Sequence, residues 1–123
     1  MVIDTSIFIE FLRSRDKSNT RLAEVLGQPQ LMVSALTVFE LNMGVTSESK
    51  RQDVDAVLSG LEIIAFDRRI SEKAGELYRY LKSNNQLIGV PDLLIAATAL
   101  SLGQAIKTLN HAHFNRMPGL IVI

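Results

Sequence analysis

Short apolar runs alternate with longer stretches in which apolar positions recur at helical spacing, and this alternation predicts the elements. Val2–Asp4 reads as a strand ending at an acid. Thr5–Arg13 follows as a helix, with Ile7, Phe8, Ile9, Phe11 and Leu12 apolar nearly all round, so it is buried on two sides or forms an interface. Arg15–Asn19 is a polar break, and Thr20–Gly27 is a second short helix closed by glycine. Pro29 starts a turn into a second strand, Leu31–Val33. Ser34 caps a helix over Ala35–Thr46. A helix over Lys50–Ser59 closes at Gly60, and Glu62–Phe66 is the third strand. Asp67 caps a helix that runs to Ser83 and ends in Asn84-Asn85. Pro91 suits the first turn of a helix over Pro91–Leu102, with Gly103 past its end. Ala105–Lys107 is the fourth strand, Asn110–Asn115 a short helix or turn, and Leu120–Ile123 the last strand. Strands separated by helices imply an α/β fold, a central parallel sheet of about five short strands with helices on both faces.

No repeat, low-complexity segment or linker interrupts the chain, so its 123 residues are read as one domain, 1–123. A hydrophobic fraction of 47% excludes disorder, and it is high enough to suggest apolar surface covered by a partner. With no cysteine, disulfides and thiolate chemistry are out, which fits a cytoplasmic protein. No basic stretch precedes an apolar run at the N-terminus, so no secretory signal is expected, and no apolar run is long enough for a membrane span. Net charge is zero, so any nucleic-acid contact must come from local patches or from metal.

Three acids change the picture. Asp4 follows Met1-Val-Ile, Glu40 lies in Thr37-Val-Phe-Glu-Leu, and Asp92 stands in Val90-Pro-Asp-Leu-Leu-Ile. Each has strongly apolar neighbours, where an unpaired carboxylate is costly, and a divalent cation compensates while supplying chemistry. Parallel α/β folds place their sites at the carboxyl ends of strands, where Asp4 stands. Each acid also has an ordinary explanation. Asp4 can cap a helix, Glu40 can be a solvated helical glutamate, and Asp92 can sit at a helix N-terminus for the macrodipole. Thr37, Glu40 and Gly44 share one helix face.

Asp4-Thr-Ser, Thr37-x-x-Glu40-Leu, Asp92-Leu-Leu-Ile-Ala-Ala-Thr-Ala-Leu, Thr108-Leu-Asn-His-Ala-His-Phe and Pro118-Gly-Leu together resemble the signatures of PIN-domain ribonucleases, and among them VapC-type toxins of toxin–antitoxin pairs. The resemblance covers essentially the whole chain. It implies a metal-dependent endoribonuclease with Mg²⁺ or Mn²⁺ held by Asp4, Glu40 and Asp92. The ion would activate water for in-line attack on phosphorus, leaving 5′-phosphate and 3′-hydroxyl ends. It also implies a cognate antitoxin, a homodimer, and contact with DNA only indirectly, through the antitoxin complex. Supporting roles fall to Ser6, Thr37, Thr108 and Asn110, the last two able to hold water or orient Asp4. One position departs from the pattern. Where the family often has a fourth acid, this chain has His113, which can ligate a softer ion, bind phosphate, or simply pack.

Arg13, Arg15 and Lys17, with Arg21, cluster after the first helix, and Lys107 lies near the site by chain position; these are candidates for the RNA backbone. The apolar helix around Phe8, Phe11 and Leu12 is a candidate antitoxin or dimer surface, or ordinary core. Two competing readings are a receiver-like phosphoacceptor module, with Asp67 as the modified residue, and a catalytically inactive PIN binding domain.

Overall fold

In the computed structural model, which describes residues 1–123, four short parallel strands form the sheet. They are β1 (Val2–Ile3), β2 (Met32–Ser34), β3 (Glu62–Ile64) and β4 (Ile106–Lys107), ordered β3-β2-β1-β4. Registry pairs Val2 with both Met32 and Ile106, Ile3 with Lys107, and Val33 with Ile63. The segment expected as a fifth strand, Leu120–Ile123, runs parallel beside β4 but makes a single bridge, Val122 to Ile106. The turn through Pro118-Gly119, with Gly119 at φ 79°, leaves only the last residues free to pair.

Alternation along the strands sorts side chains to two faces. Val2 and Ile106 join one core with α5 (Arg68–Ser83) and α6 (Val90–Ser101). On α5 the buried residues Ile70, Ala74, Leu77 and Leu81 repeat at helical spacing. Ala96, Ala97 and Ala99 of α6 are fully buried, and their small side chains let that helix approach closely. Ile3 and Val33 join the opposite core with α1 (Thr5–Arg13), α2 (Arg21–Val25), α3 (Ala35–Met43) and α4 (Glu48–Leu58). A 3₁₀ turn, Lys17–Asn19, links α1 to α2, and α7 (His111–Phe114) follows β4. No helix is long and apolar enough to cross a membrane.

The expected caps form. Ser34 Oγ accepts the Leu36 amide at 3.1 Å, and Asp67 Oδ1 accepts the Ile70 amide at 2.9 Å. Helix α3 ends at Met43 instead of Thr46, and α4 starts at Glu48, capped by Ser47, instead of at Lys50. Strand β3 stops at Ile64 instead of Phe66 because its partner β2 ends at Ser34, where α3 begins. The strand order removes the receiver-like reading. Asp67 follows the edge strand here, whereas receiver modules of order 2-1-3-4-5 carry the third strand at the centre.

Candidate active site

The carboxyl ends of β1, β2 and β4 each turn directly into polar residues, Asp4, Ser34 and Thr108. Asp4 is the N-cap of α1 and is 1% exposed. Its Oδ2 accepts the Ser6 hydroxyl at 2.6 Å and the Thr108 hydroxyl at 2.8 Å. A hydroxyl has one proton to give, so both are spent on that one oxygen. Each then accepts a backbone amide, Leu109 N–H at Ser6 Oγ (3.0 Å) and Asn110 N–H at Thr108 Oγ1 (2.9 Å). Helix α1 and the loop after β4 are thus laced together around a single carboxylate oxygen.

The other oxygen, Asp4 Oδ1, is buried and has no hydrogen-bond partner. Burial pushes the Asp4 carboxyl above its usual range, the Ser6 and Thr108 hydroxyls pull it back in part, and the charge of Asp92 pushes it further up. Asp92 lies in the first turn of α6, whose N-cap, Gly89, has no side-chain cap bond. Its Oδ2 instead stands 3.0 Å from His113 Nδ1.

Glu40 is held separately. Its Oε1 accepts the Thr5 hydroxyl at 2.8 Å, and Thr5 Oγ1 also lies 2.9 Å from Thr37 Oγ1. Thr5 has one proton and a carboxylate oxygen only accepts, so Thr5 donates to Glu40 and Thr37 donates to Thr5. Asp4, Asp92 and Glu40 therefore rim one end of the sheet, but no three acidic or imidazole side chains are gathered into a ready-made ion cage. Glu40 Oε1 is tied instead to the Thr5 hydroxyl. Thr5 has no role in the sequence reading although it sits between Asp4 and Ser6, and its hydroxyl is what holds Glu40.

Glu40 also borders a groove of about 490 Å³ between α1, α3 and α4, lined by Ile9, Leu12, Leu41 and Val54 with Arg13 and Lys50. Phe8 is core, fully buried, while Phe11 and Leu12 are only partly covered. Arg13 and Arg15 are exposed. Two other basic candidates are engaged elsewhere. Lys17 Nζ donates to the carbonyls of Phe11 (2.8 Å) and Ser14 (3.1 Å), closing the C-terminus of α1, and sits 5.0 Å from the Phe11 ring centre. Lys107 shares the sheet face of Ile3, is 9% exposed, and pairs with Glu24 of α2 at 3.2 Å. This corrects the expectation that Lys107 faces RNA: strand alternation turns its side chain under α2. Asn110 contributes its backbone amide, and its exposed side chain makes no hydrogen bond. His111 is exposed.

Other proteins resemble this chain in sequence and in fold. The chain is 31% identical to the ribonuclease VapC2 of Rickettsia felis, over 98% of this chain and 94% of that one. It is 30% identical to the ribonuclease VapC1 of Methanocaldococcus jannaschii, over 95% and 80% respectively. The solved structure of VapBC2 from Rickettsia felis, bound to a DNA fragment from its promoter, matches the fold with a TM-score of 0.86 at 27% identity, over 99% of this chain and 96% of that one. The family model for the PIN domain matches residues 1–120, a span that takes in every strand and all three acids, and the chain belongs to the PIN-domain family.

Proposed function

We propose that this protein is an endoribonuclease, the toxin member of a toxin–antitoxin pair, which hydrolyses RNA phosphodiester bonds with a divalent ion, Mg²⁺ or Mn²⁺. The observation that carries the reading is Asp4 Oδ1, a buried carboxylate oxygen with every neighbouring hydroxyl committed to its twin. An anionic oxygen left bare in that setting is costly, and a cation offsets the cost. The donor set suits a hard ion, since Asp4 and Asp92 supply carboxylates from two different elements.

Asp4 and Asp92 would hold the ion, with Glu40 on the rim. Such an ion lowers the pKa of bound water and neutralises charge on the phosphate, consistent with 5′-phosphate and 3′-hydroxyl products. Ser6 and Thr108 fix the Asp4 carboxylate in one orientation, and Thr5 and Thr37 do the same for Glu40. Arg13 and Arg15, exposed at the end of α1, are the basic groups free to meet an RNA backbone. The VapBC2 complex of Rickettsia felis on promoter DNA supports a cognate antitoxin as partner, with promoter DNA reached through it. The groove beside Glu40 is the surface proposed for the antitoxin, because an occupant there lies against the acidic rim.

The test is cleavage of a mixed RNA pool with Mg²⁺ or Mn²⁺ by the wild type, Asp4→Asn and Asp92→Asn, with folding checked by circular dichroism. Both variants are expected to fold and to lose cleavage. Full activity in either, still abolished by EDTA, would move the metal elsewhere.

A further inference from the structure

Asp92 stands in the first turn of α6 yet bonds none of the amides there, and its one side-chain hydrogen bond is to His113. We propose that His113 is a positioning residue, which donates its Nδ1–H to Asp92 and holds that carboxylate in one orientation on the acidic rim. The part of the proposal that concerns cleavage rests on the nuclease reading above; the part that concerns the bond does not.

Both ends of the bond belong to one frame. His113 lies on α7, the single turn after β4, and its amide donates to the Asn110 carbonyl at 3.1 Å. Phe114 beside it is fully buried in the core with α5 and α6, and Met117 is buried in the same core. From between these two anchors, Arg116 Nη1 donates to the carbonyls of Gln86 at 3.3 Å and Leu87 at 3.2 Å. Those carbonyls lie in the chain that enters α6, two turns of sequence ahead of Asp92. The backbone leading to Asp92 is thus tied to the segment that carries the imidazole. What remains between the two is side-chain rotation, and the hydrogen bond restricts it. A histidine on a loose surface loop has no such constraint.

Chemistry assigns the proton. Nδ1 and Oδ2 are 3.0 Å apart, an ordinary N–H···O length. An ionised carboxylate only accepts, so the proton of this pair sits on Nδ1. In a neutral imidazole Nε2 then carries none, and a side chain 46% exposed presents that bare nitrogen to water. A neutral histidine free in water favours the opposite tautomer, so the bond leaves a signature. His111, the other histidine of the chain, is exposed and supplies the contrast within the same molecule.

Nitrogen-15 spectra of the two rings, recorded at about pH 9 where an imidazole is neutral, test the bond in the wild type and in Asp92→Ala. His113 is expected in the Nδ1–H form and His111 in the Nε2–H form, and His113 is expected to revert to the His111 pattern in Asp92→Ala. Steady-state RNA cleavage by His113→Ala and His113→Asn tests the consequence, with folding checked by circular dichroism. The asparagine amide nitrogen branches from the same carbon position as Nδ1 and can donate in its place, whereas alanine cannot. His113→Ala is expected to lose about tenfold or more in kcat with KM nearly unchanged, and His113→Asn to restore most of the loss. An Nε2–H tautomer for His113 in the wild type, or equal kcat in the alanine and asparagine variants, would overturn the proposal. A wild type that cleaves no RNA would overturn the nuclease reading instead, and the ring spectra would then decide the bond by themselves.

Discussion

Thr5→Val isolates the hydroxyl relay that orients Glu40. Valine matches threonine in shape, so no cavity opens at a position only 7% exposed. Two bonds are lost, Thr5 to Glu40 and Thr37 to Thr5. The second loss leaves the Thr37 hydroxyl, 0% exposed, with no acceptor, at a cost of about 1–3 kcal/mol. Adding about 1 kcal/mol for the bond to Glu40, Thr5→Val is expected to destabilise by roughly 2–4 kcal/mol. Thr37→Val removes a donor but leaves Thr5 bonded to the carboxylate, so it should cost only about 0.5–1.5 kcal/mol. The double variant has no stranded Thr37 hydroxyl. Its cost should fall below the sum of the two by roughly 1–2 kcal/mol. Urea unfolding of all four proteins gives these values, with the slope checked for constancy. Additivity within about 0.5 kcal/mol would refute the relay. A second measurement separates stability from the site. Metal affinity should drop in Thr5→Val and stay low in the double variant, even though stability recovers, while Thr37→Val keeps near wild-type affinity.

The buried charge of Asp4 gives a pH signature. Its folded pKa is raised by burial, so the stabilising contribution of the neutral acid is fully present below 3.8 and is lost as pH rises through the higher folded value. In chelator, the stability of the wild type relative to Asp4→Asn should therefore fall as pH rises, and a flat difference would contradict the burial argument. The Lys107–Glu24 pair is asymmetric, with side chains 11% and 64% exposed. Glu24→Gln strands a buried ammonium, whereas Lys107→Met leaves an acid in water, so urea unfolding should show the larger loss for Glu24→Gln; equal losses would count against it.

Much of the scaffold could be read from the chain because local signals agree with the tertiary result. Ser34 and Asp67 announce their helices by capping, and the small residues of α6 announce a close approach. The five-strand expectation missed because Leu120–Ile123 has a strand-like composition, while the number of rungs depends on the turn at Pro118-Gly119. Asp4 and Asp92 were legible as acids in apolar surroundings. The division of labour between the two oxygens of Asp4 was not, since it depends on a hydroxyl 104 residues away. Thr5 was hidden for a similar reason: nothing in Asp4-Thr-Ser says that the middle residue faces α3. Lys107 was placed beside the site by chain position, and only strand alternation reveals that it points under α2.

The lacing of Asp4 to Thr108 has a consequence for synthesis. A growing chain emerges N-terminus first, and its early elements collapse before the last ones exist. Asp4, Glu40 and Asp92 are all present once residue 92 has been added, yet the strand that pairs with β1 on its other side, and the hydroxyl that fixes Asp4, come later. A chain stalled before Ile106 carries all three acids but lacks β4 and the Thr108 hydroxyl that helps to fix Asp4.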